Sequence, residues 1–149
     1  MMLNDMKNRV TGLPQGFEGV RMKWDKVEGA FEIEKAAILE RDKTNDAGEV
    51  IRYEKGPRAG QAVPDRQLAL QIRMEDGTKV VVRTNSPRLT SLYIGDLDRE
   101  PDSSNQFGDR IFSVEVPEGK LRFVPYQIEG KDKSGKTQKW NVADLEQLD

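Results

Sequence analysis

The chain has 149 residues, 36% hydrophobic and 34% charged, with 24 basic and 26 acidic side chains for a net charge of −2. This predicts a single domain with a modest core and a heavily charged surface, and the balance does not announce a nucleic-acid binder. Cysteine and histidine are both absent, which excludes disulfides, thiolate chemistry, the usual general base and the commonest metal ligand.

Taken in order, Met1–Val10 is polar, and its MMLNDMKNRV lacks the apolar region of a secretory signal. No apolar run anywhere approaches the ~18 residues of a membrane span, so a cytoplasmic location is expected. Thr11–Trp24 is punctuated by Gly and Pro, with Leu13, Phe17, Val20 and Trp24 spread between them. It reads as an extended arm, residues 1–30 in all, that packs its apolar side chains on the domain formed by residues 31–149. Phe31–Leu39 alternates as a strand, with Phe31, Ile33, Ala37 and Leu39 on one face and Glu32, Glu34 and Ala36 on the other. Lys35 intrudes on the apolar side, and the Glu, Lys and Ala content makes a helix the rival assignment. A strand is preferred because Asn45–Gly48 is a turn and Glu49–Lys55 returns with β-propensity. The stretch Asp42–Tyr53 imitates a calcium loop, but Gly48 stands at the seventh position and Tyr53 where a bidentate Glu is required. Gly56–Arg66 is a loop.

The organising unit is Leu68–Tyr93. Leu68, Leu70, Ile72 and Met74 share a strand face, Asp76-Gly77 supplies a hairpin turn, and Thr78–Thr84 returns as a β-branched strand. Val80 and Val82 face one way; Lys79, Val81 and Arg83 face the other. The register places Arg73 across from Lys79, a like-charge pair that needs an acid such as Glu75, or an anionic ligand, beside it. Ser86 suits an N-cap, Pro87 a first helical position, and Leu89, Leu92 and Tyr93 recur at helical spacing.

Gly95–Asp109 is a polar loop with five acids and one base from Asp96 onward. Ile111–Val116 and Leu121–Ile128 are strands joined by a turn at Pro117–Lys120, and Pro125 marks the second as an edge or a bulge. Thr137–Val142 adds a last strand anchored by Trp140, and Ala143–Leu148 forms one helical turn. Gly130–Thr137, GKDKSGKT, matches the phosphate-binding G-x-x-x-x-G-K-[ST] pattern. Only twelve residues follow Thr137, too few for the parallel sheet and metal-binding acid of that chemistry, so the segment reads as a hairpin turn.

The expected fold is therefore mainly β: a small antiparallel OB-like barrel with one short helix between the third and fourth strands, an N-terminal arm and a C-terminal hairpin. On LALQIRMEDGTKVVVRTNSPRLTSLY, and over roughly residues 31–128, the chain resembles the OB-fold single-stranded-DNA-binding proteins, especially the small divergent ones of phages and mobile elements. The resemblance implies a DNA-replication role without catalysis, cofactor or metal. It implies a groove across the second and third strands, flanked by the excursion before Leu68 and the loop between the last two barrel strands. Arg73, Lys79, Arg83 and Arg122 would meet phosphates, and Tyr53, Phe107 and Tyr126 would be base platforms. The acidic ADLEQLD terminus resembles the tips by which such proteins recruit partners. The alternative is a protein-interaction module, either an assembly component of a phage or mobile element or an inhibitor of a host protein, contacting its partner through the arm or the acidic terminus. An enzyme is the least supported class, since neither His, Cys nor a defensible carboxylate pair is present.

Overall fold

The computed structural model describes Pro14, residues 16–132 and residues 134–148. The polar terminus Met1–Val10 and the first part of the expected arm, through Leu13, lie outside the described residues. The elements are β1 (Val20–Arg21), a 3-10 turn (Trp24–Lys26), β2 (Phe31–Asp42), β3 (Pro64–Met74) and β4 (Lys79–Thr84). They continue with α1 (Pro87–Thr90), a 3-10 segment (Ser91–Leu97), β5 (Ser103–Ser104), β6 (Arg110–Val114), β7 (Leu121–Lys131) and β8 (Thr137–Gln147).

The fold is mainly β, as expected, but the sheet is open and mixed. Its order is β1-β4-β3-β2-β6-β5, with β7 and β8 off this path. Every pairing is antiparallel except β1 with β4. Closure fails for a definable reason. The strand expected to close a barrel, β7, meets β2 only at Phe31↔Leu121 and spends the rest of its length on β8, from Leu121↔Gln147 to Lys131↔Thr137. That ladder also overrides the helical turn expected at Ala143–Leu148: Ala143–Gln147 are strand residues, whose inner-edge backbone groups pair with β7. GKDKSGKT is the end of this hairpin, and the residues after it form a strand rather than a helix. Pro125 is tolerated because the outer edge of β7 there meets no other strand among the described residues.

The central hairpin has the expected register, Leu70↔Val82, Ile72↔Val80 and Arg73↔Lys79. Leu68, Leu70, Ile72, Val80 and Val82 are buried with Phe31, Ile38, Leu89, Phe112, Leu121 and Ala143. Full burial of each such side chain contributes about 1.5–3 kcal/mol. On β2 the expected alternation breaks. Ile33 pairs with Ile72 but Lys35 with Gln71, so Glu34 is an extra, bulged residue. Parity reverses after it. Ala36 and Ile38 join the main core, while Lys35, Ala37 and Leu39 turn to the opposite face.

That opposite face carries a second, smaller core: Ala37, Leu39, Ala69, Val81 and Ile111, with Phe17 of the arm set among them. The arm then crosses the sheet edge. Gly19 has φ +137°, and a Cβ there would lie 2.8 Å from the Lys79 backbone carbonyl, so only glycine permits so close a crossing. Val20–Arg21 next pair alongside Val80–Val81, and the Met22 amide donates to the Val81 carbonyl. Trp24 packs on the main core, its ring 6.5 Å from that of Phe123 and edge-on to it.

Two loops and the helix differ from expectation. Glu49–Lys55 makes no strand; the excursion is tied by the isolated bridges Thr44↔Val50 and Arg52↔Ala62, and β3 starts at Pro64, inside the expected loop. The expected helix is α1 continued by a 3-10 segment. Ser86 gives α1 no side-chain cap; its hydroxyl instead donates to the Ala143 carbonyl at 2.7 Å and ties α1 to β8. Within the loop after Gly95, Ser103–Ser104 pair with Ile111 and Arg110. No helix among the described residues is long and apolar enough to cross a membrane.

Candidate functional site

The residues expected to act together divide into two groups on different surfaces. Arg73, Lys79 and Arg83 share the arm-covered face of β3–β4. The like charges of Arg73 and Lys79 are relieved, but not by Glu75, which lies 3.7 Å from Lys120. Glu34 enters this face through the bulge. Arg73 pairs with Glu32 and, at 3.7 Å, with Glu34; Lys79 pairs with Glu18 of the arm at 2.8 Å and with Glu34 at 3.9 Å. The hydrogen bond and charge of Lys79 hold the Glu18 carboxyl below its ordinary range, and Glu18 raises the Lys79 ammonium in return. Beneath them the buried Gln71 accepts from the Glu18 amide (2.8 Å) and donates to Glu34 (3.0 Å). Arg83 is half-buried and donates to Gln67; burial, then the nearby Arg21 charge, lowers its pKa. This face is a charge-balanced seat for the arm.

Tyr53 and Phe107 stand apart from both groups. The Tyr53 amide donates to the Gln61 carbonyl within the excursion. Phe107 is exposed at the Asn105–Gly108 turn, where the Asn105 side chain accepts from its amide. Asp109 closes that turn; it is buried and takes the Arg41 guanidinium at 2.7 Å.

Arg122 and Tyr126 lie on the second surface, the β7–β8 hairpin. Residues directly opposite each other share a face. One face therefore carries Arg122, Val124, Tyr126, Ile128 and Gly130 on β7, with Glu146, Asp144, Val142, Trp140 and Gln138 across from them. Tyr126 is 41% exposed and Trp140 45%. Trp140 is thus not held in the core, and its contact with the last strand's partner is on the hairpin surface. Its indole lies across Gly130, where a Cβ would come within 2.6 Å of the ring. Arg88 of α1 reaches over the face, its guanidinium carbon 4.6 Å from the Tyr126 ring centroid and its Nε 3.1 Å from Asp144. Arg122 pairs with Glu146 at 2.6 Å.

The turn of the hairpin consumes its own acid. Asp132 accepts from the Ser134 amide and hydroxyl, the Lys136 amide and the Gln138 side chain. Its carboxyl is held below the ordinary range, first by the Ser134 hydroxyl and then by the Lys136 amide. Lys131, Lys136 and Lys139 make no ion pair among the described residues. Arg88 and Trp140 escape a reading of the sequence because their common face exists only once the β7–β8 register is known; Lys131 and Lys139, across from Thr137 and Glu129, lie on the other face of the hairpin. The one trace of it is the symmetric spacing of Tyr126 and Trp140 about the GKDKSGK turn.

Among the described residues no group of three or more Asp and Glu is placed to hold a metal ion. An open cleft of about 430 Å³ beside the β3–β4 turn is floored by Met22, Val27, Met74 and Val80. No family model matches the chain, and neither the curated proteins nor the solved structures contain a match to it.

Proposed function

We propose that this chain is a non-catalytic single-stranded nucleic-acid-binding protein that holds the strand along the Tyr126/Trp140 face of the β7–β8 hairpin. The observation that carries the reading is the pair of half-exposed aromatic rings on one hairpin face, bordered by Arg88 and, at the turn, by Lys136. Unstacked bases gain by stacking on such rings, and bases without carboxylate partners attract the backbone. The order of the elements supports it. β2, β3, β4, α1, β6 and β7 follow one another as the strands and helix of an OB fold do. The binding surface moves from the sheet face to the hairpin, because Arg73 and Lys79 already face Glu18, Glu32 and Glu34. Those pairs are exposed and individually weak, so the two bases are secondary contacts at most.

The test is titration of fluorescent oligo-dT across a salt series. Affinity falls with salt, duplex binds less well than single strand, and Lys136→Ala lowers the salt slope by about one unit. Absence of oligo-dT binding at low salt overturns the proposal. A protein-interaction module is then the better reading. It is favoured by the outer edges of β7 beyond Phe123 and of β8, which meet no other strand among the described residues and offer a ladder to an added peptide strand.

A further inference from the structure

The β7–β8 ladder fixes which backbone groups of β7 point outward. The Leu148 amide donates to the Lys120 carbonyl and the Asp132 amide to the Lys136 carbonyl, so the even-numbered residues of β7 bond to β8. The odd-numbered Pro125, Gln127, Glu129 and Lys131 turn their backbone groups to the outer edge, which there meets no other strand among the described residues. Leu121, also odd, pairs with Phe31 of β2 on that same edge. The Ala143 carbonyl, across from Pro125, likewise points away from the ladder, to the Ser86 hydroxyl. Pro125 therefore lacks its amide on the open side, where the hairpin does not use it.

The two outer edges of the hairpin differ. That of β8 is taken at Ala143 by Ser86. Thr137, Lys139 and Asn141 remain toward the turn, and an antiparallel pairing centred on Lys139 would set ammonium against ammonium. The edge of β7 offers the amides of Gln127, Glu129 and Lys131 and the carbonyls of these residues and Pro125.

This edge is its own complement. With a two-fold axis at Ile128, Gln127 of each copy lies across from Glu129 of the other and exchanges both backbone bonds with it. Each Lys131 amide reaches the other copy's Pro125 carbonyl. Every outward amide then finds a carbonyl, about six hydrogen bonds in all. An axis at Gly130 employs Glu129 and Lys131 alone, an axis at Glu129 sets that carboxylate against itself, and an axis at Gln127 spends the Glu129 carbonyl on Pro125. The same register suits the side chains, because residues directly opposite share a face. Tyr126 meets the partner's Gly130, across which the partner's Trp140 indole lies, and the two Ile128 side chains meet each other. The half-exposed rings of both copies then line one apolar lane.

We infer that this protein forms a two-fold dimer through the outer edge of β7, the two hairpins joining into one ribbon in the order β8-β7-β7-β8. Such an interface is isologous and closes at two copies. Edge pairing leaves both faces of the ribbon open, so the aromatic face continues from one copy to the other. The inference goes beyond the nucleic-acid reading and does not depend on it.

Sedimentation velocity over a concentration series and thiol cross-linking, both without nucleic acid, test it together. Wild-type protein forms reversible dimers and nothing larger. Glu129→Pro removes an outward amide and sets a ring against the partner's Gln127, yet leaves the β7–β8 bonds in place as Pro125 does. Circular dichroism checks its fold, and its dimer is weaker by roughly tenfold or more. The chain has no cysteine, so Ile128→Cys places a single thiol at the axis, where opposed Cα atoms lie about 4.5 Å apart, within disulfide reach. Oxidised glutathione should join this variant into a covalent dimer. Lys139→Cys, on β8 and away from the axis, should stay monomeric on a denaturing gel under the same treatment. A wild-type chain that remains monomeric throughout the series overturns the inference. So does a folded Glu129→Pro variant that dimerises as wild type does, or a Lys139→Cys variant that joins as readily as Ile128→Cys.

Discussion

Phe17→Ala tests how the sheet face is covered. The ring is 6% exposed and sits among Ala37, Leu39, Ala69, Val81 and Ile111. Truncating a buried Phe costs about 3–5 kcal/mol when the surroundings cannot collapse. The remaining anchors of the arm here include the Glu18 amide on Gln71, the Glu18–Lys79 ion pair, the Met22 amide on Val81 and the Lys35 ammonium on the Gly16 carbonyl. At about 0.5–1.5 kcal/mol each, they do not offset an ordering cost of about 1–2 kcal/mol per residue from Gly16 to Met22. The variant therefore releases the arm instead of leaving a cavity beneath it. Urea unfolding should show a stability loss below the ~3–5 kcal/mol of a retained cavity, with a lower m-value, because less surface is exposed on unfolding. Hydrogen exchange should show the Glu18 and Met22 amides losing protection well beyond the core amides of β2 and β3. Retained protection at those two amides, or a loss below about 1 kcal/mol, would refute the reasoning.

The crossing at Gly19 admits no side chain, so Gly19→Val should unseat the same arm, read as the same loss of protection at Met22, while Gly95→Ala, whose Cβ position is open, leaves it seated. The Glu18–Lys79 pair makes arm docking depend on pH. Glu18 is depressed, so its contribution is complete above its ordinary 4.5 and is lost as pH falls through the lower folded value. Lys79 is raised, so its contribution is complete below its ordinary 10.5 and is lost as pH rises through the higher folded value. Arm protection should be level between these limits and decline outside them, and Glu18→Gln should flatten both declines. A decline near neutral pH would contradict this assignment.

The sequence carries the β3–β4 hairpin almost completely, because Asp76-Gly77 sets the turn and alternation sets the faces, so that Arg73↔Lys79 follows by counting. It carries the β2 bulge only as an anomaly. Lys35 on the apolar side was the trace of an extra residue at Glu34, but alternation alone cannot say where parity slips. That slip also explains why the basic sheet face misleads. Its acids arrive from Glu34 through the bulge and from Glu18 through an arm distant in sequence. Ala143–Leu148 reads as helix from its Ala, Leu and Glu, and tertiary pairing with β7 overrides that preference. Tyr126 is legible as an aromatic on a strand. Its partners Trp140 and Arg88 depend on a register and on a helix contact that no local pattern encodes.

The most direct measurement uses Trp140 itself. Trp24→Phe leaves Trp140 as the single tryptophan of a chain that has two, and a Phe at position 24 keeps an aromatic against the core beside Phe123. Bases stacking on the exposed indole should quench its emission saturably as oligo-dT is added, with the midpoint moving to higher concentration as salt rises. Adding Tyr126→Ala should weaken the midpoint by about 1–3 kcal/mol, the worth of one stacked base. An indole emission that does not change while labelled oligo-dT is bound would place the strand elsewhere, and no binding at low salt would contradict the account altogether.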